Sequence, residues 1–177
     1  MTWPTKKLSK CIQEGLIELK RGNVISEKDI KENPGSYPVY SSSAQNNGLF
    51  GYYGKYMFDE ELITWSVDGG GYFFYRPKHK FSVTNVVGIL KLNTKDLIYK
   101  FVYYYLVWQR NRLEFDYVKK AHPSVIKELY EIAFPPLPIQ QKIVKVLDTI
   151  QSAIEIQEKI IEKTKELKKS LMNLLFH

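Results

Sequence analysis

Residues 134–176 read FPPLPIQQKIVKVLDTIQSAIEIQEKIIEKTKELKKSLMNLLF. Pro135 and Pro136 bar helix at the start of this stretch, and Pro138 suits a first helical turn, so a helix begins here and a domain boundary falls near Leu137. Its apolar positions keep a heptad register. With Ile143, Ile150, Gln157, Thr164 and Leu171 at a, the d positions are Val146, Ala153, Ile160, Leu167 and Leu174. Leu147, Ile154, Ile161 and Leu175 widen the stripe on one flank. Such a face needs a second helix, and with the sequence ending two residues after Leu175, the expected partner is a second copy of the chain. The organisation predicted is a domain over 1–137 and a dimerising coiled-coil helix over 138–177.

Upstream of the prolines the texture changes. Residues 4–13 read as a short amphipathic helix, followed by an extended Leu16-Ile17-Glu18-Leu19 and a Lys20-Arg21-Gly22-Asn23 turn. Between Pro34 and Gly88, short aromatic and apolar runs alternate with Gly, Pro, Asn and Ser. Tyr37 to Tyr40, Leu49 to Tyr53, Leu62 to Trp65, Tyr72 to Tyr75 and Val83 to Leu92 are therefore predicted strands. Thr94 caps a helix predicted from about Lys95 to Phe115, with Ile98, Phe101, Val102, Tyr105, Leu106 and Leu113 on one side. A small helix near Ser124 to Leu129 and a last strand, Tyr130 to Phe134, complete the domain. The fold class is α+β: a mixed α/β domain with a mainly β core, then one long C-terminal helix.

At 177 residues the chain can build one ordinary core plus that helix. No apolar run approaches the roughly 18 residues needed to cross a membrane, and Met1-Thr2-Trp3-Pro4 lacks the features of a signal peptide, so a cytoplasmic protein is expected. The single cysteine, Cys11, excludes an internal disulfide framework and reads as a packing residue. The net charge is +7, most of it before residue 139, and thirteen Tyr and three Trp accompany it. That balance suits a polyanionic partner without establishing one.

A search for catalytic constellations returns little. His79, His122 and His177 lack metal-ligand spacing. Gly69-Gly70-Gly71 is followed by a strand rather than by Gly-Lys-Ser/Thr and a helix, so a hairpin is expected in place of a phosphate loop. Phe134-Pro135-Pro136-Leu137 lacks the Asp or Asn and the aromatic of an amino-methyltransferase loop, and Glu166-Leu167-Lys168 lies on the heptad helix without a nuclease's partner Asp. No catalytic residue, metal site or cofactor is predicted. What remains is a polar loop, Ser41 to Gly48, whose Ser42, Ser43, Gln45, Asn46 and Asn47 carry the donors and acceptors that reading base edges requires. A solvated loop using Ser and Asn for turn chemistry accounts for the same residues, and the same two readings apply to Thr64, Ser66 and Asp68 around Trp65. Lys20, Arg21, Arg76, Lys78, Lys119 and Lys120 are candidate phosphate contacts.

Taken in order, the motifs resemble a known family, the DNA-specificity subunit of type I restriction-modification systems. They are Trp3, Arg21-Gly22, Tyr37-Pro38-Val39-Tyr40-Ser41-Ser42, Asn47-Gly48, Gly51-Tyr52, Leu62-Ile63-Thr64-Trp65, Asp68-Gly69, Phe74-Tyr75-Arg76 and Phe81-Ser82-Val83-Thr84-Asn85. Pro135-Pro136-Leu137-Pro138-Ile139-Gln140-Gln141-Lys142-Ile143 is similar to the family's entry into its long helix. The resemblance implies a target-recognition domain followed by a spacer helix. A usual subunit carries two of each, so this chain resembles a half subunit. The implied assembly is a non-catalytic homodimer on double-stranded DNA that reads a split palindromic target. It is served by methyltransferase subunits and compatible with a separate restriction subunit. The alternative is a regulatory or degenerate specificity fragment that binds methyltransferase subunits without productive DNA recognition. Ile143 to Leu174 spans 32 residues, roughly 48 Å or about 14 base pairs, so a pair of such helices can act as a ruler.

Overall fold

A computed structural model describes residues 3–68, 70–113 and 120–176. The chain divides into two units, Met1–Gln140 and Gln141–His177. In the first, six strands build the main sheet: β2 (Ile17–Arg21), β3 (Tyr37–Tyr40), β4 (Leu49–Tyr53), β5 (Phe58–Ser66), β6 (Phe73–Val83) and β7 (Val87–Leu92). Their order is β2-β7-β5-β6-β3-β4. All neighbours pair antiparallel except β3 and β6, which run parallel through Val39↔Ser82 and Tyr40↔Val83. An isolated parallel bridge, Asn23↔Thr84, also joins the segment after β2 to the segment after β6.

The central strand β5 is buried continuously from Leu62 to its end, as expected of a strand flanked and covered on both sides. Trp65 lies on Gly88 of β7, where a Cβ would come within 2.0 Å of the indole, so only glycine lets the ring lie there. The indole N–H donates to the Ala121 carbonyl at 2.7 Å, which satisfies its one polar atom inside the core. In β6, Pro77 sits where the register against β5 slips between Glu60 and Leu62. A proline is tolerated at such a bulge because no ladder amide is required of it.

Sequence expectation and structure part in instructive places. Thr5–Lys7 form β1 rather than the first turn of the opening helix, because they pair antiparallel with β8 (Glu131–Ala133), a partner far away in sequence. Helix α1 (Leu8–Gln13) follows directly. A second helix, α2 (Glu27–Glu32), is closed by a capping box between Ser26 and Asp29 and buries no residue, so no apolar stripe marks it. The predicted strand from Val83 to Leu92 is two strands with a turn at 84–86. Helix α3 (Tyr99–Arg110) starts later than expected: the Thr94 hydroxyl accepts from the Asp96 amide in a local turn, and the Ile98 amide is taken by the Gln140 side chain. The end predicted near Phe115 falls outside the described residues.

Helix α4 (Pro123–Leu129) leads through β8 to the proline step and to α5 (Leu137–Phe176). The first turn of α5 is pinned by Gln140, fully buried, whose amide donates to the Asp96 and Pro135 carbonyls at 2.7 and 2.9 Å. In the second unit the heptad residues Val146, Ile150, Ile160, Leu167, Leu171 and Leu174 are all exposed, the last 77% so. Gln157 is exposed too, and Thr164 returns its hydroxyl to the Ile160 carbonyl at 2.7 Å. No described helix is long and apolar enough to cross a membrane.

Candidate nucleic-acid interface

Where β3 ends at Tyr40, the chain leaves the sheet in a short loop and returns as β4 at Leu49. Three consecutive residues in it, Asn46, Asn47 and Gly48, have φ of 47°, 53° and 77°. The left-handed region is costly for L side chains and least so for Asn among the larger ones, which explains Asn-Asn-Gly at these positions. Gly48 is also needed sterically, since a Cβ would lie 2.9 Å from the Ser41 carbonyl oxygen.

Hydrogen bonds hold the loop in this shape. The Ser41 amide donates to the Gly48 carbonyl at 2.7 Å, closing its neck. The Gln45 amide donates to the Ser43 hydroxyl at 3.1 Å. From the turn after β6, the Thr84 amide donates to the Tyr40 carbonyl at 2.9 Å and the Thr84 hydroxyl to the Ser41 hydroxyl at 3.1 Å. Ser43, Gln45, Asn46 and Asn47 are exposed on this scaffold, and Ser42 is half-buried.

The neighbouring turns join it. Both Nε and Nη2 of Arg21 donate to the Asn85 carbonyl, the former at 2.8 Å. Gly22 approaches β6 so closely that a Cβ would sit 2.3 Å from the Val83 oxygen. Asn23, Asn85 and Arg21 are exposed there. On the far side of the same turn, Val67 donates to the Val86 carbonyl and accepts from Ala121, which brings in the exposed ion pair of Lys120 with Asp68 at 3.1 Å. The Arg21-Gly22-Asn23 turn, the loop 41–48 and the turn 84–86 are thus joined by hydrogen bonds, and buried Val67 and Ala121 link that turn to the segment of Lys120. Lys20 is exposed and paired with Glu18 at 2.7 Å, and Lys78 is exposed on β6. Lys119 lies outside the described residues.

Two expected contact residues are placed differently. Ser66 is fully buried, and its hydroxyl accepts from the Tyr72 amide at 2.9 Å across the β5–β6 hairpin, so it holds the turn instead of facing a base. Arg76 is 1% exposed. Its Nε donates to the Thr64 hydroxyl at 3.0 Å and its Nη2 to the Asn47 carbonyl at 2.9 Å, while the guanidinium lies 3.6 Å from the Tyr40 ring and 4.9 Å from that of Phe74. Burial pulls its pKa down to about 10, against the favourable influence of Tyr40. A phosphate cannot reach it there. His79 is likewise engaged: stacked on Phe81, it meets the Pro77 carbonyl through Nδ1 at 2.6 Å and the Tyr40 hydroxyl through Nε2 at 3.1 Å. A carbonyl only accepts, which assigns the proton to Nδ1.

The sequence reading does not include Asn23 and Asn85 in this surface, nor Thr84, which is buried and braces it through its hydrogen bonds. The signal available was the Phe81-Ser82-Val83-Thr84-Asn85 motif, whose last two residues leave a strand pattern for a turn pattern. Chemically the surface combines cations, which attract phosphates without regard to sequence, with short amide and hydroxyl side chains able to donate and accept at base edges. Among the described residues no group of His, Cys, Asp and Glu could hold a metal ion.

Comparison with known proteins bears on this surface. A family model described as type I restriction modification DNA specificity domain matches residues 6–166. A Mycoplasma pneumoniae protein named as a type I specificity subunit is 39% identical over 137 residues, covering 75% of this chain and 44% of that protein. The specificity subunit of the type I restriction enzyme MpnII, from the same organism, is 36% identical over 135 residues, covering 75% of this chain and 40% of its own length. The crystal structure of a type I restriction-modification S subunit from M. genitalium superposes with a TM-score of 0.71 at 20% identity, over 96% of this chain and 44% of that one. The chain therefore spans less than half the length of these relatives.

Proposed function

Because this chain belongs to the type I restriction-modification DNA specificity family, we propose that it reads DNA sequence through the 41–48 loop and the turns bonded to it. The observation that carries this reading is the exposure of Ser43, Gln45, Asn46 and Asn47 on a loop whose backbone is fixed from two other segments, β6 and the turn after it. Amides held in one orientation can discriminate bases, whereas mobile ones average over them. Ser42 and Asn85 flank the reading residues, and buried Thr84 braces them. Lys20, Arg21, Lys78, Lys119 and Lys120 supply phosphate contacts that set register.

The proposed assembly is a homodimer. Ile143, Val146, Ile150, Ala153, Ile160, Leu167, Leu171 and Leu174 meet the same residues of a second copy along α5, with Gln157 and Thr164 fixing register. Two identical recognition surfaces then read an interrupted palindrome of double-stranded DNA. Methyltransferase subunits supply catalysis in the cytoplasm, the chain itself being non-catalytic, and the assembly is compatible with a separate restriction subunit. Replacing Gln45 and Asn47 together by Ala, in the chain assembled with its methyltransferase partners, tests the reading. The expected result is loss of preference at one or two base positions with the rest of the motif kept. An unaltered motif refutes the assignment of the loop.

A further inference from the structure

Arg76 is a buried cation with no ion-pair partner among the described residues, in a position where an apolar side chain would fill the space more cheaply. Its neighbours belong to three different segments. Thr64 is on β5, Tyr40 ends β3, and Asn47 is the middle of the three left-handed residues. Among the described residues, only Arg76 grips the left-handed stretch by a side chain anchored inside the sheet. We infer that Arg76 is a positioning residue for base recognition: its planar fork, braced by Thr64 and held between the Tyr40 and Phe74 rings, locks the Asn47 carbonyl and so sets where Gln45, Asn46 and Asn47 present their side chains to DNA. The inference rests on the reading of the loop given above.

The geometry suits arginine and no other residue. A guanidinium presents divergent N–H groups in one plane, so Nε and Nη2 can serve Thr64 and Asn47 at once while its face meets the Tyr40 ring at 3.6 Å. A lysine reaching from the same position has one point of attachment and no plane to stack. The lowered pKa, about 10, still leaves the group charged at neutral pH, so the grip on the Asn47 carbonyl is charge-assisted. His79 extends the brace, because the Tyr40 hydroxyl bonded to its Nε2 fixes the ring on which the guanidinium rests.

The test uses the full chain assembled with its methyltransferase partners, in three forms: Arg76→Met, Arg76→Lys, and the loop variant Gln45→Ala with Asn47→Ala. Two quantities are read, the amide exchange rate of Ser41 without DNA and the methylated motif by single-molecule sequencing. Both Arg76 variants should raise Ser41 exchange by about fivefold or more, the loss expected for one structural hydrogen bond. Both should relax base preference about tenfold at the positions the loop variant relaxes, with affinity for non-cognate DNA unchanged. Introducing Asn46→Gly and Asn47→Gly beside Arg76→Met should restore slow exchange, since glycine holds the left-handed turn without help. If the loop variant changes the motif and neither Arg76 variant does, the inference is overturned while the reading of the loop stands. If none of the three changes the motif, the reading of the loop fails and takes the inference with it. Should Arg76→Met not fold, the comparison passes to Arg76→Lys, which keeps the charge and most of the buried stem.

Discussion

Replacing Gly48 by Ala should loosen the recognition loop without unfolding the domain. The backbone there has φ of 77°, and a Cβ would stand 2.9 Å from the Ser41 oxygen and 3.3 Å from that of Ser43. Holding Ala in the left-handed region costs about 1–2 kcal/mol. Relieving the contact moves the Gly48 carbonyl away from the Ser41 amide it accepts at 2.7 Å, which forfeits about 1 kcal/mol more. The sum, about 2–3 kcal/mol, corresponds to a roughly 30- to 150-fold increase in loop opening. Because Ser43 to Asn47 are exposed and carry no core residue, the penalty falls on the loop and leaves the Leu62, Phe81 and Ile89 cluster in place. Native-state hydrogen exchange reads this directly: the Ser41 amide should exchange at least about thirtyfold faster in Gly48→Ala, with core amides of β5 unchanged. Gly48→Asn should lie between the two, since Asn tolerates the dihedral and keeps only the contact. Exchange at Ser41 within about twofold of the native rate would refute the claim that closure at Gly48 fixes the loop.

If the proposed homodimer forms along α5, the native chain should run as a dimer in light scattering and the Ile150→Asp, Ile160→Asp variant as a monomer, because each buried unpaired charge costs several kcal/mol; a monomeric native chain or an unchanged variant mass would refute that interface. Lys78→Ala should weaken binding to every DNA sequence alike and lower the log-log salt slope by about one, whereas an effect confined to one sequence would make it a base contact. The capping-box contact of Ser26 holds the Asp29 carboxyl below the usual range, so the stability it lends α2 is complete above that range and lost as pH falls through the depressed value. Amide exchange at Ser26 should therefore rise on acidification in the native chain and be fast and pH-independent in Asp29→Ala, after correction for intrinsic exchange.

The sequence displays some of this plainly. The long helix was legible because its heptads repeat over ten positions and prolines mark its start. β3 and β4 match their predicted bounds because turn residues stand immediately beside them. Strands β5 and β6 run longer than their apolar cores suggest, since the ladder pairs Asp59–Lys80 and Glu60–His79 are polar and leave no hydrophobic trace. β1 was read as helix because its partner, β8, is supplied from the other end of the domain. In the candidate site, the polar loop was visible as composition, but its left-handed geometry follows from bonds to Thr84 and Arg76 that no local pattern announces. Arg76 and Ser66 differ from expectation for the same reason: a charge or hydroxyl reads as surface until the groups that bond it, Thr64 and the Asn47 carbonyl for Arg76 and the Tyr72 amide for Ser66, are known.

The central claim is that two identical copies of this chain present the same reading surface to opposite strands. Single-molecule sequencing of DNA methylated by the assembled enzyme, with this chain as the sole specificity component, measures it most directly. An interrupted palindrome is predicted, with half-sites that stay fixed while the gap widens by roughly three base pairs when seven residues are inserted between Gln157 and Thr164. An asymmetric motif, or a gap indifferent to the insertion, would contradict the account.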